Sequence, residues 1–176
     1  MNKKLILTGT HGSGKTTLLN HYRDLGYNVI TEVVRNLSKE GVKINEMGDG
    51  EGQNRIFEEY VKLLSSDNGY ISDRGLSDVA GYTFSLATHE KVDKEIADDQ
   101  FLTLQQFHKD HPEIIVCYIP IEFPVVDDGV RSVDEGFREE VDFMIKNLLD
   151  CAEINYHTIT GTVEERIKMI DELLKE

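Results

Sequence analysis

"LILTGTHGSGKTTLL", residues 5–19, sets an apolar run against a glycine-rich turn and then a helix-forming run. Within it Gly9, Gly14, Lys15 and Thr16 satisfy the spacing G-x-x-x-x-G-K-[ST]. That spacing acquires chemical meaning only between a strand and a helix. There, successive backbone N–H groups and the positive end of the helix converge on one anion. Both flanks are present here. The stretch therefore predicts a phosphate-binding loop built from Gly9, Gly12, Ser13, Gly14, Lys15, Thr16 and Thr17. Lys15 is expected to reach the β- and γ-phosphates of ATP, and the Thr16 hydroxyl to ligand Mg²⁺.

Outward from the loop the chain alternates strand and helix patterns. Residues 4–8 read as a buried strand and 15–25 as a helix closed by Gly26. A second strand is predicted over 27–32 and a helical turn over 33–40. The glycine-rich, acidic stretch 41–52 reads as a mobile loop. A helix over 53–65 carries Ile56, Tyr60, Leu63 and Leu64 at helical spacing. A third strand is expected over 68–73, helices over 75–87 and 92–109, and a fourth strand over 113–119. Residues 120–136 form a charge-rich irregular segment, followed by a helix over 137–150, a strand "NYHTI" and a helix over 163–175. Strands separated by helices require parallel crossovers, hence a doubly wound α/β sheet whose ligands lie at the carboxyl ends of the strands. No linker or repeat divides the 176 residues, so one domain spanning 1–176 is expected.

Nineteen basic against 33 acidic residues give a net charge of −14, which disfavours a nucleic-acid backbone as partner. Two cysteines are too few for a disulfide framework or a thiolate metal site, and Cys117, in "EIIVCYI", reads as a buried reduced thiol. The apolar run behind Lys3 and Lys4 breaks at Thr8, short of a signal peptide, and no stretch approaches a membrane span. A cytoplasmic setting, that of the host if the gene is a phage's, is the default expectation.

Many proteins hold phosphate on such a loop, and the rest of the chain narrows the choice. The guanine-reading N-K-x-D and T-K-x-D are absent, and "DVAG" at 78–81 falls inside a helical pattern. The fourth strand runs into Ile119 and Pro120, with no acidic residue of the kind an ATPase motor carries. Carboxylate and arginine pairs stand at two strand ends instead. "ITEVVR" supplies Glu32, suited to accept a hydroxyl proton, and Arg35, one helical turn on, suited to hold substrate charge. "ISDRG" supplies Asp73, a hard oxygen partner for Mg²⁺, and Arg74, whose planar fork suits phosphate or substrate oxygens. The charged segment carries Arg131, expected to act as a lid arginine over the triphosphate, with Arg138 as a second candidate toward substrate.

Taken together, "GTHGSGKTT", Glu32 with Arg35, Asp73-Arg74 and an arginine-bearing lid resemble the deoxynucleoside and thymidylate kinase branch of P-loop proteins. "ISDRGLSDVAGY" and "VVDDGVR" are similar to a subgroup of small AAA-domain-labelled kinases. That subgroup includes the kinase domain of the nicotinamide riboside kinase and adenylyltransferase protein, and phage proteins. The resemblance implies a three-layer P-loop NTPase fold with strand order 2-3-1-4-5. It implies Glu32 as general base, Asp73-Arg74 as the pair serving metal and phosphate, Arg131 on the lid, and "TGT" at 160–162 beside adenine. Deoxynucleoside kinases carry Glu-Pro after the second strand, whereas Val33 follows Glu32 here, and no tryptophan is available to stack on an acceptor.

The function expected is transfer of the γ-phosphate of ATP to a nucleoside, nucleotide or nucleoside-like small molecule, with Mg²⁺. A kinase acting on a hydroxymethylated base or an end of DNA or RNA is the first alternative. A nucleotide-dependent ATPase or regulator binding a protein partner is the second. A homodimer is the default assembly.

Overall fold

Strand β1 (Lys4–Thr8) is buried along its whole length because it lies at the centre of the sheet. It pairs in parallel with β3 (Tyr70–Asp73) on one side and β4 (Ile114–Tyr118) on the other. The two-residue strands β2 (Val29–Ile30) and β5 (His157–Thr158) form the edges, giving the order β2-β3-β1-β4-β5. This is the order implied by the resemblance. The coordinates, a computed structural model, describe residues 3–124 and 134–175.

The period-two pleat sorts the apolar side chains of the strands into two faces. Leu5 and Leu7 of β1, Ile71 of β3 and Cys117 of β4 turn to one face. There Leu18, Leu19 and Tyr22 of helix α1 (Lys15–Asp24) meet Ile170 and Leu174 of α7 (Val163–Lys175). Ile6, Tyr70, Val116 and Tyr118 turn to the other face. Helices α3 (Gly50–Leu64), α4 (Leu76–Thr88), α5 (Lys94–Asp110) and α6 (Glu135–Cys151) cover it. The short helix α2 (Val33–Lys39) follows β2. The result is three layers, with every loop that leaves a strand's carboxyl end on one rim.

Several boundaries differ from those expected, each for a local reason. The second strand was expected over six residues and has two. Tyr27 N–H closes the end of α1 by donating to Tyr22 O at 3.0 Å, and Glu32 already stands at the boundary where α2 begins. The stretch 41–52 is not a continuous loop. It holds a 3₁₀ turn at Asn45–Met47, and α3 begins at Gly50 because the Asp49 side chain accepts from Gly52 N–H at 3.0 Å. Asp134 caps α6 in the same way, accepting from Phe137 N–H at 3.1 Å, so the helix starts two residues before the expected position. The last strand pairs only His157 and Thr158 with β4. Cys117 is fully buried, and burial pushes its thiol up to about 12, as a structural reduced cysteine requires. No helix among the described residues is long and apolar enough to cross a membrane.

Candidate active site

The chain leaves β1 at Thr8 and folds over the sheet rim before entering α1. Gly9 has φ 144° and lies so close to the Ile119 carbonyl that no β-carbon fits between them. Gly14, with φ 98°, would set a β-carbon 3.1 Å from Arg166 Nη1. Lys15, 4% exposed, lies across the mouth of the loop, donating to Gly9 O at 2.5 Å and Thr10 O at 2.7 Å. The loop is tied below by Asp78, fully buried in the first turn of α4, which accepts from Gly9 N–H at 2.9 Å and Gly75 N–H at 2.7 Å. Burial pushes the Asp78 carboxyl up from its ordinary value, and the nearby Lys15 and Arg74 charges pull it back. One further bond, 2.6 Å between His11 Nδ1 and Tyr82 OH, joins the loop to the middle of α4.

The two groups expected at the metal lie side by side. Thr16 Oγ1 donates to Asp73 Oδ2 at 2.8 Å, bringing the first turn of α1 to the end of β3. This pair of hard oxygens fits Mg²⁺, which takes few protein ligands and keeps its waters. Fixed N–H donors at a helix start, a buried ammonium and this oxygen pair together fit a magnesium-bound triphosphate. Tyr60, buried in α3, donates to Asp73 O at 3.3 Å. Arg74 follows with φ 107°, a conformation a side chain rarely adopts, and its guanidinium lies 5.3 Å from the centre of the Tyr82 ring.

Glu32 is a second residue held in the left-handed region, with φ 62°. Its carboxylate meets Arg35 at 2.9 Å. The structure therefore unites these two candidates as an ion pair at the start of α2. Lys15, Thr16, Thr17, Glu32, Arg35, Asp73 and Arg74 all line one cleft of about 450 Å³, together with Gly12, Gly14 and Phe123.

Arg138 takes a different place from the one expected of it. It is fully buried in α6 and donates to His11 O at 3.0 Å, Gly12 O at 3.2 Å and Phe123 O at 2.8 Å, with Glu135 as its ion partner at 2.9 Å. Arg131 lies outside the described residues. Arg166, which the sequence reading passed over, is 2% exposed and donates to Ser13 O at 2.8 Å and Gly161 O at 3.0 Å. Its remaining contacts are an ion pair with Glu122 and the Phe123 ring, 5.2 Å from its guanidinium carbon. A signal for both arginines was present. Arg166 shares a helical stripe with Ile170 and Leu174, and Arg138 one with Val141 and Ile145. A cation at an apolar position of the period marks a buried partner.

With this geometry in hand, comparisons place the chain among known proteins. The profile of a family described as AAA domain matches residues 4–166. No curated protein matches the sequence. Among solved structures, deoxyadenosine kinase from M. mycoides superposes with a TM-score of 0.66 at 18% identity, covering 98% of each chain. NadR protein in complex with NR gives a TM-score of 0.72 at 16% identity, covering 99% of this chain and 51% of that one. Thymidylate kinase from Candida albicans gives 0.65 at 12% identity, covering 99% of this chain and 91% of that one. The chain spans about half the NadR protein and nearly all of the deoxyadenosine kinase. At these identities the likeness establishes a shared fold.

Proposed function

The chain belongs to the AAA-domain family, and from that membership and the geometry of the cleft we propose that it is an ATP-dependent kinase. It moves the γ-phosphate of ATP to a hydroxyl or phosphate of a nucleoside, nucleotide or nucleoside-like small molecule, and residues 1–176 form one catalytic unit. The observation that carries this reading is the shared cleft. The phosphate loop, the Thr16–Asp73 oxygen pair, Glu32, Arg35 and Arg74 line a single cavity of about 450 Å³. That arrangement supports a donor end and an acceptor end within one cleft. The fold shared with deoxyadenosine kinase, thymidylate kinase and the NR-binding NadR protein adds support from analogy.

Bound MgATP would supply the activated phosphoryl group and the metal charge that neutralises it. The loop amides and Lys15 would hold its phosphates, and Thr16 and Asp73 would hold its metal. Glu32, fixed at the start of α2, accepts the acceptor's proton, while Arg35 and Arg74 bind its oxygens or phosphate. Arg131, outside the described residues, would supply a further cation to the triphosphate. Little covalent chemistry is asked of the protein, so positioning and charge stabilisation supply the rate.

The test is transfer of labelled γ-phosphate from ATP to a pooled acceptor panel. The panel holds nucleosides, nucleoside monophosphates, nicotinamide riboside, and DNA with plain or hydroxymethylated bases. A labelled product is expected, and Lys15→Ala should lower its rate by at least about 10³-fold. Release of free phosphate alone, indifferent to every acceptor, would overturn the kinase reading in favour of an ATPase. Label confined to DNA would reassign the acceptor.

A further inference from the structure

Three successive carbonyls of the phosphate loop accept from guanidinium groups. Arg138 Nε reaches His11 O at 3.0 Å, its Nη2 reaches Gly12 O at 3.2 Å, and Arg166 Nη1 reaches Ser13 O at 2.8 Å. In a planar trans peptide the carbonyl of one residue and the N–H of the next point in opposite directions. Drawing the carbonyls of residues 11, 12 and 13 back into the protein therefore turns the N–H groups of Gly12, Ser13 and Gly14 the other way. Gly12 and Gly14 line the cleft.

Burying two cations is a poor way to gain stability, since desolvation consumes much of what the contacts return. A guanidinium at each position has a geometric rationale instead. Its planar fork can hold several carbonyls at fixed angles, which a hydrocarbon or an ammonium cannot do. The same two side chains also grip the chain beyond β4. Arg138 donates to Phe123 O at 2.8 Å, and Arg166 pairs with Glu122, which in turn accepts from Gly161 N–H at 3.0 Å. Arg166 thus ties together the loops that follow β1, β4 and β5.

We propose that Arg138 and Arg166 are positioning residues of the phosphate site. They fix the three peptide planes whose N–H groups receive the anion, and they act on turnover through that loop rather than by touching the reacting atoms. The inference rests on the loop being the triphosphate site.

Binding of ATP with Mg²⁺, and separately of inorganic tripolyphosphate, would be measured by calorimetry. The proteins compared are the wild-type, Arg138→Lys and Arg166→Lys, each well below its melting temperature. Lysine keeps the charge and loses the fork. Each substitution should weaken both ligands by roughly tenfold or more, as loss of a hydrogen bond to a charged group predicts. The loss should be equal for ATP and tripolyphosphate with Arg138→Lys; with Arg166→Lys, which also loses the bond to Gly161 O in the stretch expected beside adenine, tripolyphosphate should still weaken roughly tenfold. If a lysine variant does not fold, Glu122→Ala frees Arg166 from outside the loop and should weaken both ligands about threefold. Lower melting temperatures with unchanged affinities would overturn the positioning role and leave the arginines structural. A loss confined to ATP would also overturn it, moving their effect to the base. Wild-type protein that binds neither ligand would overturn the phosphate-site reading itself.

Discussion

Glu32 carries the sharpest conflict between conformation and role. A glutamate in the left-handed region costs on the order of 1 kcal/mol, and glycine would adopt the same backbone without strain. Its ion pair with Arg35 is more than one-third exposed on both sides and contributes little. Glu32→Gly should therefore raise stability by about 1 kcal/mol while lowering turnover at least about 10²-fold. A melting curve beside a transfer assay checks both halves, and a stable variant with full activity would remove Glu32 from the chemistry. Asp73 makes a separate prediction. Asp73→Asn weakens the oxygen pair with Thr16, so the Mg²⁺ concentration for half-maximal rate should rise roughly tenfold. At this scale placement was legible: the loop motif puts Lys15 and Thr16, and two strand ends put Glu32 and Asp73, at the rim where all four line one cleft. It was not legible for Asp78, whose burial beneath Gly9 depends on how α4 docks.

Among the elements, α4 packs directly against α6, and Gly81 marks the contact. A β-carbon at Gly81 would lie 2.5 Å from Ile145 Cγ1 and 3.3 Å from the Ile145 backbone nitrogen. The side chain could rotate away, but the backbone could not without moving α6. Gly81→Ala would gain about 1 kcal/mol of helix propensity. It should nevertheless destabilise the protein by roughly 2 kcal/mol through overpacking, measurable by chemical denaturation. Amphipathic spacing gave the helices to within a few residues. Their starts were harder to see because Asp49 and Asp134 lie in acidic stretches that look like solvated loop. Only the side-chain bonds to Gly52 and Phe137 distinguish them as caps.

For the molecule as a whole, alternation of strand and helix patterns sufficed to give a parallel α/β sheet, and the family resemblance gave its order. The stability of the assembled layers should carry a pH signature from His108 on α5. Burial, with a smaller contribution from His111, holds this imidazole down to about 4, below its ordinary value of 6.5. Above about 6.5 the ring is neutral whether the chain is folded or not. As pH falls from there toward about 4 the unfolded chain takes up the proton first, so stability falls. His108→Gln should remove that slope, and the difference between the two proteins should change by roughly 2 kcal/mol across the window. A wild-type difference flat between pH 7 and 4 would contradict it. The two outer strands have a consequence of another kind. An exposed strand edge is a template on which a second chain can add itself, and long flat edges promote self-association into fibres. Here the outermost strands on both sides are two residues long, Val29–Ile30 and His157–Thr158. Such short rows offer an incoming chain almost no ladder to extend. A protein whose central strand is so apolar is thereby shielded from growing sideways into aggregates.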